Sequence, residues 1–174
     1  MTALLTQAAE ALAAVERHAA AARASVRALV APTGKLDPAL LEQHQVAAHG
    51  VAWVMTYATA LRELLAWAER LEAPGETETL ILRIGFGEYL AQLQGGLPMS
   101  QGELLRPGDL GLASGPQGAA VEALIAAGGA EARMALAQRL ADGFGDAAHG
   151  DETLLLIRDQ FRKFADEHAE AAHG

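Results

Sequence analysis

Apolar residues recur at alternating steps of three and four along the start of this chain: Leu5, Ala8, Leu12, Val15, Ala19, Ala22, Val26 and Leu29. That spacing returns side chains to one face of an α-helix, whereas a strand would need alternation at every second residue. A stripe this long predicts one helix from about Thr2 to Val30, packed lengthwise along a neighbour. Pro32 and Gly34 end it. Composition points the same way. Hydrophobic residues are 51% of the chain and aromatics only 5%. Much of the apolar share is alanine, the best helix former, which buries little area per residue. Runs of Val, Ile, Thr and Tyr that would favour a strand are absent, so closely packed helices are expected and no strand.

A second helix is predicted from the capping residue Asp37 and the first-turn Pro38 to about Leu71, stopping before Pro74-Gly75. One of its faces carries Ala47, Val51, Val54, Ala58, Leu61, Leu65 and Ala68. Another carries Trp53, Tyr57, Ala60, Leu64, Trp67 and Leu71. A helix apolar on two sides belongs at the centre of a bundle. A third helix should span Glu76 to Gln94, with Gly95 as its stop. Gly85 and Gly87 each cost ~1 kcal/mol there against alanine, which close backbone packing or a kink would explain.

From Gly95 to Gln117 periodicity gives way to turn residues, including Gly-Gly-Leu-Pro-Met-Ser-Gln-Gly. Such a stretch inside a domain suggests a packed functional loop, an interface arm or a linker. Two shorter helices follow, near 118–127 and 130–141, then a glycine-rich hinge at 143–150. Asp151 would cap the last helix, with the stripe Leu154, Ile157, Phe161, Phe164 and His168. The expected organisation is a long-helix core over 1–95, an ordered Gly/Pro-rich loop over 96–117, two short helices over 118–142, the hinge, and an amphipathic helix over 151–174. The fold class is all-α: an antiparallel bundle of three or four long helices plus a helical C-terminal arm.

The net charge of −9, from 13 basic and 22 acidic residues, repels nucleic acid and anionic membrane surfaces. There is no cysteine, so thiol chemistry is excluded and a reducing compartment is permitted. No signal peptide is visible, and the uncharged stretch Gln43 to Leu61 contains His44, His49, Gly50, Thr56 and Tyr57. It reads as a buried helix rather than a membrane span. A cytoplasmic protein is expected.

Motifs for chemistry are few. Glu170 and His173 have the Glu-x-x-His spacing of helical metal sites but stand at the chain end, and Asp146 and His149 fall in the hinge. His44 and His49 are five apart, which does not align ligands on one helical face. No metal site is expected. The Ala-Ala-His-Gly tetrads at 47–50, 147–150 and 171–174 have different flanks and read as composition. Ser25, Ser100 and Ser114 lack any accompanying base, and no phosphate-binding glycine motif is present. Three residues stand out as buried polar or pocket candidates. His44 lies beside the apolar line of Ala47 and Val51, where a hydrogen-bonded core histidine is the simplest reading. Glu88 sits on a greasy helix, where pairing with a His or Arg of a neighbouring helix competes with a role as a shifted acid. Trp53 fits a core position better than a ligand platform.

Two stretches carry a family resemblance. The first joins Gly34-Lys-Leu-Asp37, Glu42-Gln-His-Gln45, His49-Gly-Val-Ala-Trp53, Thr56-Tyr57, Leu61-Arg62 and Trp67-Ala-Glu-Arg-Leu71 to Ile84-Gly-Phe-Gly-Glu-Tyr-Leu-Ala-Gln92 and Gly95-Gly-Leu-Pro-Met-Ser-Gln-Gly-Glu103. It resembles the helical N-terminal extension of methylsuccinyl-CoA dehydrogenase-type acyl-CoA dehydrogenases. The second, Ile157-Arg-Asp-Gln-Phe-Arg-Lys-Phe-Ala-Asp-Glu167, is similar to the opening helix of the dehydrogenase fold that follows. The resemblance implies a parent that uses FAD for α,β-dehydrogenation of a branched acyl-CoA, a glutamate removing the α-proton. On this reading the chain stops after barely one helix of that fold. No catalytic residue, cofactor-binding residue or metal ligand is therefore carried over, and FAD is expected only in a full-length parent.

The expected role is a non-catalytic accessory module for packing, assembly or cleft access. It would self-associate or dock on a dehydrogenase catalytic domain through Leu154, Phe161 and Phe164, packed back on the bundle or in a homodimer. A free-standing binder of a hydrophobic or acyl-CoA ligand, with His44, Trp53 and Glu88 near its pocket, is the alternative. A metal-binding bundle is the weaker one.

Overall fold

A computed structural model describes residues 1–141 and 152–168, and within the second stretch the side chains of 155–164. The chain divides into two compact units, Met1–Ala141 and Asp142–Gly174.

In the first unit α1 runs Thr2–Val30, α2 Pro38–Gln43, α3 Gln45–Glu69, α4 Glu76–Gly95, α5 Ala119–Ala127 and α6 Ala130–Ala141. The unit is essentially all-α, as the spacing predicts. The α1 stripe is buried from Ala8 to Val26, but at its end Leu29 is 41% exposed and Val30 is buried instead. The Val30 carbonyl accepts a hydrogen bond from the Asp37 amide, which ties the helix end to the start of α2. Asp37 caps α2 as expected: its Oδ1 accepts from the amides of Ala39 at 2.9 Å and Leu40 at 3.3 Å.

The single helix expected from Asp37 to Leu71 is instead two. The backbone leaves helical geometry at His44, with φ −111° and ψ 25°, and α2 buries none of its side chains. The apolar stripe of this region begins only at Ala47, so α2 has no face that would draw it into line with α3. Helix α3 is central. It packs on α1 with one face and on α4 with another. Its exposed strip includes His49 and Glu63.

Helix α4 passes through Gly85 and Gly87 without interruption. A Cβ on Gly87 would stand 2.8 Å from the Leu124 carbonyl oxygen and 2.9 Å from the Gly128 Cα. That glycine exists so that two backbones can meet. A Cβ on Gly85 would meet only the end of the Leu64 side chain.

The turn-rich segment is ordered and contains strands where the composition suggested none. β1, Leu97–Ser100, pairs antiparallel with β2, Glu103–Leu105, through a bulge. Leu97, Met99 and Leu105 are buried, so short apolar alternation suffices once a helical core lies beneath it. Leu105 lies directly on Gly50 of α3, where a Cβ would come within 2.4 Å of its Cδ1. A 3-10 helix, Pro107–Leu110, then buries Leu110. Gln94 Nε2 donates to the Pro116 carbonyl oxygen and to Glu122 Oε1, both at 2.9 Å, and so fastens the last part of the segment to α4.

In the second unit the helix α7 spans Glu152–His168. Leu156, Ile157, Phe161 and Phe164 all carry large exposed apolar surface, Phe161 at 71%. The expected cap Asp151, the side chain of Leu154, the hinge at 143–150 and the histidines at 149 and 173 lie outside the described residues.

Candidate functional site

The polar and aromatic groups of the first unit gather in two places. One is a column along α3 that crosses to α4. The i, i+4 spacing of His49, Trp53 and Tyr57 places them on one side of the helix. The Trp53 indole N–H donates to His49 Nε2 at 2.9 Å. A neutral His49 in this bond must carry its own proton on Nδ1. Trp53 meets Tyr57 edge-on at 6.5 Å, and Tyr57 stacks on Tyr89 of α4 at 4.4 Å. The Tyr57 hydroxyl donates a short hydrogen bond to Gln92 Oε1. Burial, with Tyr89 beside it, pushes the Tyr57 phenol above its ordinary value of 10.0. Tyr57 therefore stays protonated, a donor that fixes Gln92.

The second place is a groove of about 420 Å³ between α4, α5 and the start of α6, lined by Gly87, Glu88, Ala91, Gln92, Ile125 and Arg133 among others. Glu88 Oε1 accepts from Arg133 Nη1 at 2.8 Å, with both side chains about half exposed. The carboxylate is thus held in a wet ion pair with an arginine of the adjacent helix. That is the geometry of a clasp between α4 and α6.

The three candidates from the sequence are not brought together. Glu88 lines the groove, while Trp53 belongs to the α3 column. His44 is half-buried at the junction of α2 and α3, where its backbone, not a side-chain hydrogen bond, does the structural work. Leu154 lies outside the described side chains, and Phe161 and Phe164 lie on α7 in the other unit. Reading the sequence missed three things. His49 and Tyr57 as partners of Trp53 were visible in the i, i+4 spacing. The stacking of Tyr89, and which arginine would answer the pairing expected for Glu88, depend on how α4 meets its neighbours and left no local signal. His18 is buried on α1, only 8% exposed, and burial holds its imidazole below the ordinary 6.5. Its position three after Val15 and four before Ala22 would have shown this.

Among the described residues no group of three or more His, Asp or Glu side chains could hold a metal ion. Among them too, no helix is long and apolar enough to cross a membrane. Four grooves among the described residues are open to solvent, with volumes of about 420–530 Å³.

These features make a helical unit closed around an alanine-rich core. In sequence the chain is similar to (2S)-methylsuccinyl-CoA dehydrogenase of Cereibacter sphaeroides, with 48% identity over 180 aligned positions. The alignment covers 98% of this chain and 33% of that enzyme, so the chain spans about a third of the relative's length. The match is consistent with the N-terminal part of the enzyme, and the resemblance read from the residues is borne out. No family model matches the chain.

Proposed function

We propose that this chain is a non-catalytic assembly module of a FAD-dependent acyl-CoA dehydrogenase, cytoplasmic, acting on a methylsuccinyl-CoA-like substrate. The observation that carries the reading is the 48% identity running through 98% of the chain. Flavin and the proton-abstracting base belong, on this reading, to the remaining two-thirds of such an enzyme. The open grooves and the ion-paired Glu88 support it, since neither is built for chemistry. The exposed apolar residues of α7 supply the contact surface, facing a dehydrogenase catalytic domain or a second copy of the chain.

The test is deletion of the segment matching residues 1–141 from the Cereibacter sphaeroides enzyme. We expect altered native mass or a raised KM, with flavin retained. Unchanged mass and unchanged kinetics would overturn the proposal. For self-association, light scattering of the Phe161→Asp chain should show half the mass of the parent chain. A monomeric parent, or an unchanged mass, sinks that part.

A further inference from the structure

We propose that α6 is a displaceable lid on α4, held by an electrostatic clasp and lifting to uncover the α4 surface around Leu80. Helix α6 buries little of its own surface. Of its 12 residues only Ala132 is buried, and Met134 points out at 62% exposure. Leu80 of α4 and Ala132 are both buried yet stand outside the contiguous core that joins α1, α3, α4 and α5. They line one groove together with Ala126 and Ala127 of α5.

The packing around α6 is open. One groove of about 420 Å³ runs beside its first turn, lined by Glu88 and Arg133. Another of about 420 Å³ runs under it, lined by Glu76, Leu80, Ala132 and Ala135. Two ion pairs border these grooves: Arg133 to Glu88 and Arg139 to Glu76, each at 2.8 Å. All four charged side chains are at least 41% exposed, so salt reaches both pairs. At its start α6 is tethered by Gly128, which sits on the α4 backbone, a Cβ there coming within 2.5 Å of the Arg83 carbonyl oxygen. That crossing is a fixed pivot. Beyond it α6 is held by the two screened ion pairs, the buried Ala132 and the half-buried Ala135, Leu136 and Leu140. A detached helix of this length is marginal in water, so lifting and local unfolding are one event.

The chain contains no cysteine, which gives a clean probe. A single Ala132→Cys substitution places a thiol under α6, and Ala58→Cys places one in the α3 core. Thiol labelling of the folded chain is followed as ionic strength rises from about 0.01 M to about 1 M, over which the screening length falls from ~30 Å to ~3 Å. We expect Ala132→Cys to label about three- to tenfold faster at high salt, and Ala58→Cys to stay protected. Amide exchange of the unmodified chain provides a second readout free of substitution: residues 130–141 should lose protection with salt while α3 keeps it. Protection of α6 equal to that of α3, or labelling indifferent to salt, overturns the lid. Arg133→Gln with Arg139→Gln should give fast labelling already at low salt and abolish the salt dependence; retained salt dependence also counts against it.

Discussion

Helices α1 and α6 are both rich in alanine, yet one is the spine of the molecule and the other is held at its edge. α1 buries 11 of its 29 residues and α6 one of 12. The difference does not lie in helix propensity, which alanine supplies equally in both. It lies in what approaches. α1 meets α3 along its length and α5 beside it, so its alanines at 8, 11, 19 and 22 become contact points between backbones. α6 packs on α4 beyond a glycine crossing, and grooves remain on its flanks. A small side chain stabilises only where a second helix comes close enough to use the space.

Several substitutions test that contrast. The largest effect should come from the core that α4 shares with α3 and α1. Phe86 is fully buried, and Phe86→Ala should cost about 3–5 kcal/mol in urea unfolding. Met134→Ala on α6 should stay within about 0.5 kcal/mol. Equal losses would erase the distinction. Next come the two glycines of α4. Gly87→Ala forces a methyl against backbone atoms of α5 and Gly128 and should destabilise by about 1–3 kcal/mol. Gly85→Ala meets only the tip of Leu64, which can turn aside, and regains up to ~1 kcal/mol of helix propensity. If both behave alike, backbone contact is not what selects Gly87.

The pH response sharpens the spine side of the comparison. His18 is held below its ordinary 6.5 by burial in α1. The folded chain then binds fewer protons than the unfolded chain just below that value. Stability from the neutral imidazole is complete above 6.5 and is lost as pH falls through the depressed folded value. The urea midpoint should drop between about pH 7.5 and about pH 5, and His18→Gln should flatten that drop. An unchanged slope would show that His18 is not a titrating element of the core. A small effect is also expected at the clasp. Arg133→Gln should change global stability by under about 1 kcal/mol, less still at high salt, because the pair is exposed.

Much of the helix order was legible in the residues. The bounds of α1, the Asp37 cap and the division between α5 and α6 follow from periodicity, capping and glycine placement. The break at His44 was not legible, since no Pro or Gly marks it. Nor was the β1–β2 hairpin, whose Leu97, Met99 and Leu105 find a reason to alternate only over the helical core. The candidate site was read less well. Glu88 pairs with Arg133 and Trp53 with His49, and the two partners differ in how far they could be read from the residues. His49 was available from an i, i+4 step. Arg133 required knowing that α6 folds back on α4.

The chain by itself thus determines local matters: where helices start and stop, which faces are apolar, and the likeness to a third of methylsuccinyl-CoA dehydrogenase. Each depends on residues within a few turns of one another or on direct comparison of residues. Only the tertiary structure decides which alanines are core and which are surface, and which glycine is a crossing point. It also decides which arginine pairs with Glu88. Those outcomes depend on the distance between helices far apart in sequence, and no local pattern encodes that distance.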